Sequence, residues 1–154
     1  MLNSDYADML RILSEEKVKF ILVGGYALAA HGYPRATLDI DFWIMASSEN
    51  AVAVIRALKR FGAPLSGVSE EDFQKEGTIF QIGVAPRRID FVTEISGVAF
   101  AEAYKRAPVV EWEGIVIHVL SLEDFLANKR SIGRYKDLAD VEMLERILKL
   151  GLLY

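Results

Sequence analysis

Two aspartates set into an apolar alternation constrain this chain more than any other feature. Leu38, Ile40, Phe42 and Ile44 alternate with Asp39, Asp41, Trp43 and Met45, a period of two that predicts a strand from Leu38 to Met45. Asp39 and Asp41 then share a face, about 6 to 7 Å apart along the strand. That spacing lets two carboxylates converge on one divalent cation, or hold two of them about 3.5 to 4 Å apart. Hard oxygen donors of this kind suit Mg²⁺ or Mn²⁺.

Upstream, Phe20 to Val23 forms a wholly apolar run that leads into Gly24-Gly25 and a helix-forming segment, Tyr26 to His31. Such a run predicts a central strand covered on both faces. A strand that breaks at two glycines and restarts as a helix turns unpaired N–H groups outward, a seat for phosphate made of backbone. The glycines let a phosphate approach with no Cβ in the way. An anion cradle and an acidic clamp on neighbouring elements are what moving a nucleotide's phosphorus requires.

The arrangement resembles the signature of the polymerase-β-like nucleotidyltransferase superfamily: apolar-Gly-Gly, thirteen residues, then Asp-apolar-Asp-apolar. In that superfamily a third carboxylate follows on a later strand, and Arg88-Ile89-Asp90-Phe91-Val92 offers Asp90. Gly-Gly in place of Gly-Ser, with Arg35-Ala36-Thr37-Leu38-Asp39-Ile40-Asp41, looks most like the AbiEii-like toxin branch. Lys129, Arg134, Lys136-Asp137 and Asp140 resemble that branch's carboxy-terminal motif.

The resemblance implies an α+β fold, with a mixed, mainly antiparallel nucleotidyltransferase sheet flanked by helices and closed by a C-terminal helical pair. It implies a metal-dependent enzyme, with Asp39, Asp41 and Asp90 catalytic and holding Mg²⁺ or Mn²⁺. Gly24, Gly25, Thr37 and Lys129 would bind the nucleotide, ATP or another nucleoside triphosphate. Lys129 would hold the triphosphate, with Asp137 and Asp140 orienting it; Arg35 and Thr37 would order the acidic strand or touch substrate. Nucleoside monophosphate would pass to a hydroxyl on a tRNA, a protein or a small molecule, within a toxin–antitoxin pair. The alternative is a non-catalytic binding partner of the same fold in such a pair. A Rossmann reading fits poorly, because the glycines lack G-x-G-x-x-G spacing.

The 154 residues predict one nucleotidyltransferase domain over 1–154. A chain this short implies a homodimer or partner subunit that completes the acceptor site. No apolar run approaches the roughly 18 to 20 residues of a membrane span, and the amino terminus has no export-type segment. With no cysteine, neither disulfides nor thiolate-held zinc enter, and a cytoplasmic location is expected. Net charge of −4 argues against unspecific nucleic-acid binding, although Lys129, Arg130, Arg134 and Lys136 crowd one stretch.

Elsewhere the periodicities predict packing elements. A helix capped by Asn3 or Ser4 runs to Glu16, and another follows Ser47 with Val52, Ile55, Leu58 and Phe61 inward. A short helical turn covers Ser69 to Lys75. Thr78 to Val84 and Arg88 to Val92 form an antiparallel hairpin that can lie beside the acidic strand. A helix from Val98 to Arg106 precedes strands Val109 to Glu111 and Ile115 to Leu120. Helices from Ser121 to Lys129 and Lys136 to Leu150 close the chain, the last with Leu138, Val141, Leu144, Ile147 and Leu148 inward. His31 reads as a cap or core-edge contact, His118 as solvent-facing or hydrogen-bonded in the sheet, and Trp112 as a covering aromatic. Trp43, on the aspartate face, is a candidate wall of the site.

Overall fold

The computed structural model describes residues 3–33, 39–84 and 87–150. Thr37 and Arg35, and the connection Ala85-Pro86, lie outside the described residues. Helix α1 (Ser4–Glu15) starts where the Asn3 side chain accepts the Tyr6 N–H, and buries Tyr6, Met9, Leu10, Ile12 and Leu13. Strand β1 (Phe20–Val23) passes directly into α2 (Gly24–Ala30), so the two glycines form the first turn of the helix rather than a loop before it. Strand β2 (Ile40–Ile44) is followed by α3 (Ser48–Phe61), α4 (Glu70–Phe73), β3 (Ile79–Ile82) and β4 (Ile89–Val92). Helix α5 (Phe100–Arg106), strands β5 (Val109–Trp112) and β6 (Ile115–His118), and helices α6 (Leu122–Ile132) and α7 (Tyr135–Lys149) complete the order.

The main sheet runs β1-β2-β4-β3, antiparallel at β1–β2 and β4–β3 and parallel at β2–β4. The hairpin β3–β4 does lie beside the acidic strand. Strand β1 is buried on both faces as its apolar run requires, yet it ends the four-strand ladder instead of sitting in its middle. Its outer edge is occupied by the β5–β6 ribbon through a Leu22–Val119 bridge and the Leu120 N–H donated to Leu22 O at 3.0 Å. The ribbon turns at Glu113-Gly114, both with positive φ (52° and 82°), the geometry a two-residue hairpin turn demands.

Side chains alternate across the sheet into two cores. Phe20, Leu22, Ile40, Phe42, Ile44, Ile89 and Phe91 face α1 and α3. Ile21, Val23 and Trp43 face the other way, against Leu120, Leu122, Phe125, Leu126, Val141 and Leu144 beneath α6 and α7. Each large apolar side chain buried this way contributes roughly 1.5 to 3 kcal/mol. The result is a helix–sheet–helix sandwich, α+β with a mixed sheet.

Helix α3 packs Ile55, Leu58 and Phe61 inward as expected, and Val52 departs from the stripe. Asn50, Ala51, Ala53, Val54, Ala57 and Leu58 are buried, and Val52 is exposed. The alanines let α3 lie close to the sheet, and buried Asn50 is satisfied by hydrogen bonds. Its Oδ1 accepts the Lys19 N–H at 2.8 Å, and its Nδ2 donates to Lys19 O at 3.0 Å and Met45 O at 2.9 Å. One buried amide thus ties together β1's entry and β2's exit, the ends of the strands away from the aspartates. In α7 the expected Leu138 is half-exposed, and Asp137 and Asp140 take the buried positions beside Val141 and Leu144.

His31 Nε2 lies 2.8 Å from Leu120 O, the core-edge contact expected of it. Trp112 covers Tyr26, ring centroids 5.7 Å apart. His118 is half-buried and stacks on Tyr104 with centroids 4.1 Å apart, and burial lowers its pKa. No helix among the described residues is long and apolar enough to cross a membrane.

Candidate active site

Because β1 and β2 are antiparallel, β1's exit lies beside β2's entry, and Val23 pairs with Asp41. The helix that begins at Gly24 is therefore set against the Asp41 side chain. Gly24 has φ +74°, and a Cβ built there would lie 2.4 Å from Asp41 Oδ2. Glycine is required at this position by the carboxylate as well as by the backbone. Gly25 follows in the first turn of α2, where Val23 supplies no side-chain cap.

The parallel pairing of β2 and β4 sets Asp41 directly opposite Asp90. Asp39, one residue before β2, accepts the Arg88 backbone N–H at 3.0 Å, which draws it to the same end of the sheet. The structure thus brings Asp39, Asp41 and Asp90 together from two strands 49 residues apart at the Asp39–Arg88 contact. The alternation Ile89-Asp90-Phe91 sets Asp90 only on the face opposite its neighbours; the register with β2 makes that the face carrying Asp41.

Arg88 is the residue that sequence reasoning passed over. Its Nε donates to Asp90 Oδ1 at 2.7 Å and its Nη2 to Asp90 Oδ2 at 3.2 Å. The same Nη2 lies 3.4 Å from Asp39 Oδ2. The signal was available in part, since residues 88 and 90 share a strand face, but the second partner comes from pairing with β2. Arg88's carbonyl is fixed in turn, accepting the Ile40 N–H at 3.0 Å and the Tyr6 hydroxyl at 3.1 Å. The two carboxylates hold the Arg88 guanidinium pKa above its usual value, chiefly through the Asp90 hydrogen bonds.

Asp41 behaves differently. Burial, then the Asp90 carboxyl close enough to share its proton, then the charge of Asp39 push its pKa from 3.8 up to about 7, with Arg88 opposing. Near neutral pH it therefore exchanges a proton readily. Burial and nearby Tyr26, Asp39 and Asp41 likewise raise the Tyr6 hydroxyl.

A cleft of about 200 Å³ opens beside Asp41, lined by Gly24, Glu94, Phe125, Asn128 and Lys129 among others. Lys129 reaches the cleft from α6. Its Nζ lies 3.4 Å from Asp137 Oδ1, 4.0 Å from Asp140 Oδ2 and 5.3 Å from the centre of the Phe125 ring. Asp137 is fully buried and accepts from Arg134 Nε at 2.6 Å and Nη2 at 3.2 Å. Arg134, then Lys129, hold its pKa down at about 2 despite burial. The buried acids of α7 are thus what aims Lys129.

Trp43 is buried in the second core, not at the carboxylates. It lines a neighbouring cavity of about 480 Å³ with Phe100, Met45 and Glu94, and among the described residues its indole Nε1 has no hydrogen-bond partner.

The donor set at the sheet end is all carboxylate oxygen, partly desolvated and mutually repelling, which is the chemistry a hard divalent cation fits. Among the described residues, however, no group of three His, Cys, Asp or Glu side chains stands ready as a cation cage. The Arg88 guanidinium lies on two of the three carboxylates.

A family model described as nucleotidyl transferase AbiEii toxin, type IV toxin–antitoxin system, matches residues 8–152. No curated protein matches the sequence. Among solved structures, the crystal structure of TM1012 from Thermotoga maritima, provisionally assigned as a nucleotidyltransferase, aligns over 97% of this chain and 94% of that one, with TM-score 0.55 and 20% identity. The solution structure of the antibiotic-resistance factor ANT(2'')-Ia aligns over 96% of this chain and 83% of that one, with TM-score 0.55 and 17% identity. At such identities the likeness is one of fold.

Proposed function

Since the chain belongs to the AbiEii nucleotidyl transferase family, we propose that it transfers nucleoside monophosphate from a nucleoside triphosphate, ATP among the candidates, to a hydroxyl acceptor. The observation that carries this reading is the register that sets Asp41 against Asp90 with Asp39 beside them. A packing core gains nothing from crowding three acids, because like charges at close range destabilise one another.

In this reading Asp39, Asp41 and Asp90 hold Mg²⁺ or Mn²⁺. When bound, the divalent ion would neutralise phosphate oxygens and acidify the attacking hydroxyl. Gly24 and Gly25 would offer first-turn N–H groups to the outer phosphates, and Thr37 is the further nucleotide-binding residue in this reading. Lys129, aimed by Asp137 and Asp140, offsets the charge that builds on the leaving pyrophosphate. The acceptor oxygen bonds to the α-phosphorus, the bond from that phosphorus to the bridging oxygen breaks in line, and pyrophosphate departs. Asp90 would help the acceptor hydroxyl lose its proton as it attacks.

The family match over residues 8–152 supports treating 1–154 as one nucleotidyltransferase domain. The family's description supports a place in a toxin–antitoxin pair, with an antitoxin as partner, and its nucleotide donor supports a cytoplasmic site of action. A second copy or that partner would complete the acceptor site, for a tRNA, a protein or a small molecule.

The test is incubation with each nucleoside triphosphate labelled at its α-phosphorus, Mg²⁺ and a cell extract. The expected result is label in one class of macromolecule or metabolite, lost in the Asp39→Asn/Asp41→Asn protein. Absence of label from every donor, together with an unchanged cellular effect of the Asn variant, would mean that the protein acts by binding alone.

A further inference from the structure

All four carboxylate oxygens of Asp39 and Asp90 face Arg88. Asp90 Oδ1 and Oδ2 accept from its Nε and Nη2 at 2.7 and 3.2 Å. Asp39 Oδ1 accepts its backbone N–H at 3.0 Å, and Oδ2 lies 3.4 Å from Nη2. A planar guanidinium with a fork of donors is the side chain best shaped for such a bridge. We propose that Arg88 is the resident counter-ion of the acidic site: it occupies Asp39 and Asp90, and they must be released from it before a divalent cation can bind them. This rests on the metal-dependent reading above and adds to it the residue that controls access to the ligands.

Two features of Arg88 fit release. Its backbone is pinned on both sides, by the carbonyl bonds from Ile40 and Tyr6 and by the N–H bond to Asp39. Its side chain is 30% exposed, whereas that of Asp90 is 10% exposed. The guanidinium can therefore move to solvent about a fixed root without disturbing the strand that carries Asp90. Asp41 has no direct bond to Arg88 among those above, so it stands outside the bridge. One guanidinium offsets part of the charge of the three acids and bridges Asp39 and Asp90.

The experiment is titration of Mn²⁺ into the whole protein, read by the loss of the free-ion electron paramagnetic resonance signal. Wild type is compared with Arg88→Gln, Arg88→Ala and Arg88→Lys, with and without a non-hydrolysable nucleoside triphosphate. Removing an adjacent positive charge should tighten binding without nucleotide by about tenfold or more in the Gln and Ala proteins. Arg88→Lys should fall between, because it keeps the charge and loses the fork. Unchanged or weaker binding in the Gln and Ala proteins would overturn the counter-ion role. Should those variants fail to fold, the ¹⁵N-detected Nε–Hε signal of Arg88 in the wild-type protein decides. It should shift along the Mg²⁺ titration with the same saturation as binding, and a signal that stays in place would refute release. Wild type that binds no Mn²⁺ even with nucleotide overturns the metal-dependent reading itself, a result distinct from equal affinities across the series.

Discussion

Replacing Gly24 by alanine probes the contact on which the geometry of the acidic end depends. Two costs are separable. A side chain at φ +74° pays a left-handed penalty of about 1 to 2 kcal/mol. The added Cβ would also lie 2.4 Å from Asp41 Oδ2, closer than real atoms approach, so Asp41 or the first turn of α2 must shift, at about 1 to 3 kcal/mol by analogy with overpacked cores. Gly62→Ala is the control, because Gly62 has φ +88° with nothing within 4 Å of the built Cβ and should lose only the first term. Urea unfolding of the two variants, and of Gly24→Ala combined with Asp41→Ala, gives a double-mutant cycle. The expected result is a Gly24→Ala loss of about 2 to 5 kcal/mol, of which Asp41→Ala recovers about 1 to 3. If Gly24→Ala cost no more than Gly62→Ala and showed no coupling to Asp41, the close approach of α2 to the carboxylate would be wrong.

The raised pKa of Asp41 makes the metal-free protein pH-sensitive. A carboxyl held at about 7 when folded and near 3.8 otherwise contributes stability that is fully present below the lower value and lost as pH rises through the higher. Asp41→Asn should therefore be more stable than wild type at pH 8 and approach it at pH 5, as read by urea midpoints; a variant weaker than wild type at pH 8 contradicts the assignment. Asp137 has the opposite sign: with its pKa held down at about 2, its contribution is present above the usual carboxylate range and lost as pH falls toward 2. The melting temperature of Asp137→Asn should fall below wild type at neutral pH, with a gap that closes on acidification. Asn50→Ala removes three hydrogen bonds at the β1–β2 ends and should cost about 1 to 3 kcal/mol in chemical denaturation, because the Lys19 N–H and the Met45 carbonyl lose their side-chain partner while Lys19 O keeps the Met45 N–H.

What the sequence made legible was local and periodic. The alternation at 38–45, the unbroken run at Phe20–Val23 and the hairpin pattern before Asp90 each specify an element through side chains a few residues apart, and those elements are in the structure. What it hid depends on partners far along the chain. Arg88 looks like a surface arginine until β2 pairs with β4 and delivers Asp39 to it. Strand β1 reads as central because both its faces are apolar, whereas its neighbour on the outer side is the short ribbon around Val119. Helices α3 and α7 each keep the expected stripe except at Val52 and Leu138, where polar residues take buried places the stripe did not assign to them. Buried Asn50, Asp137 and Asp140 are satisfied by specific bonds, and a hydrophobic period has no way of counting polar residues among the core positions.

Crystals grown with Mn²⁺ and a nucleoside triphosphate that cannot transfer its α-phosphorus would test the central claim most directly, through the anomalous signal of manganese. The account predicts a manganese peak at Asp39, Asp41 and Asp90, with phosphate density toward Gly24 and Lys129 and the Arg88 guanidinium swung off Asp39 and Asp90. Nucleotide and manganese lodged elsewhere on the molecule, with Arg88 still clamped across Asp39 and Asp90, would contradict it.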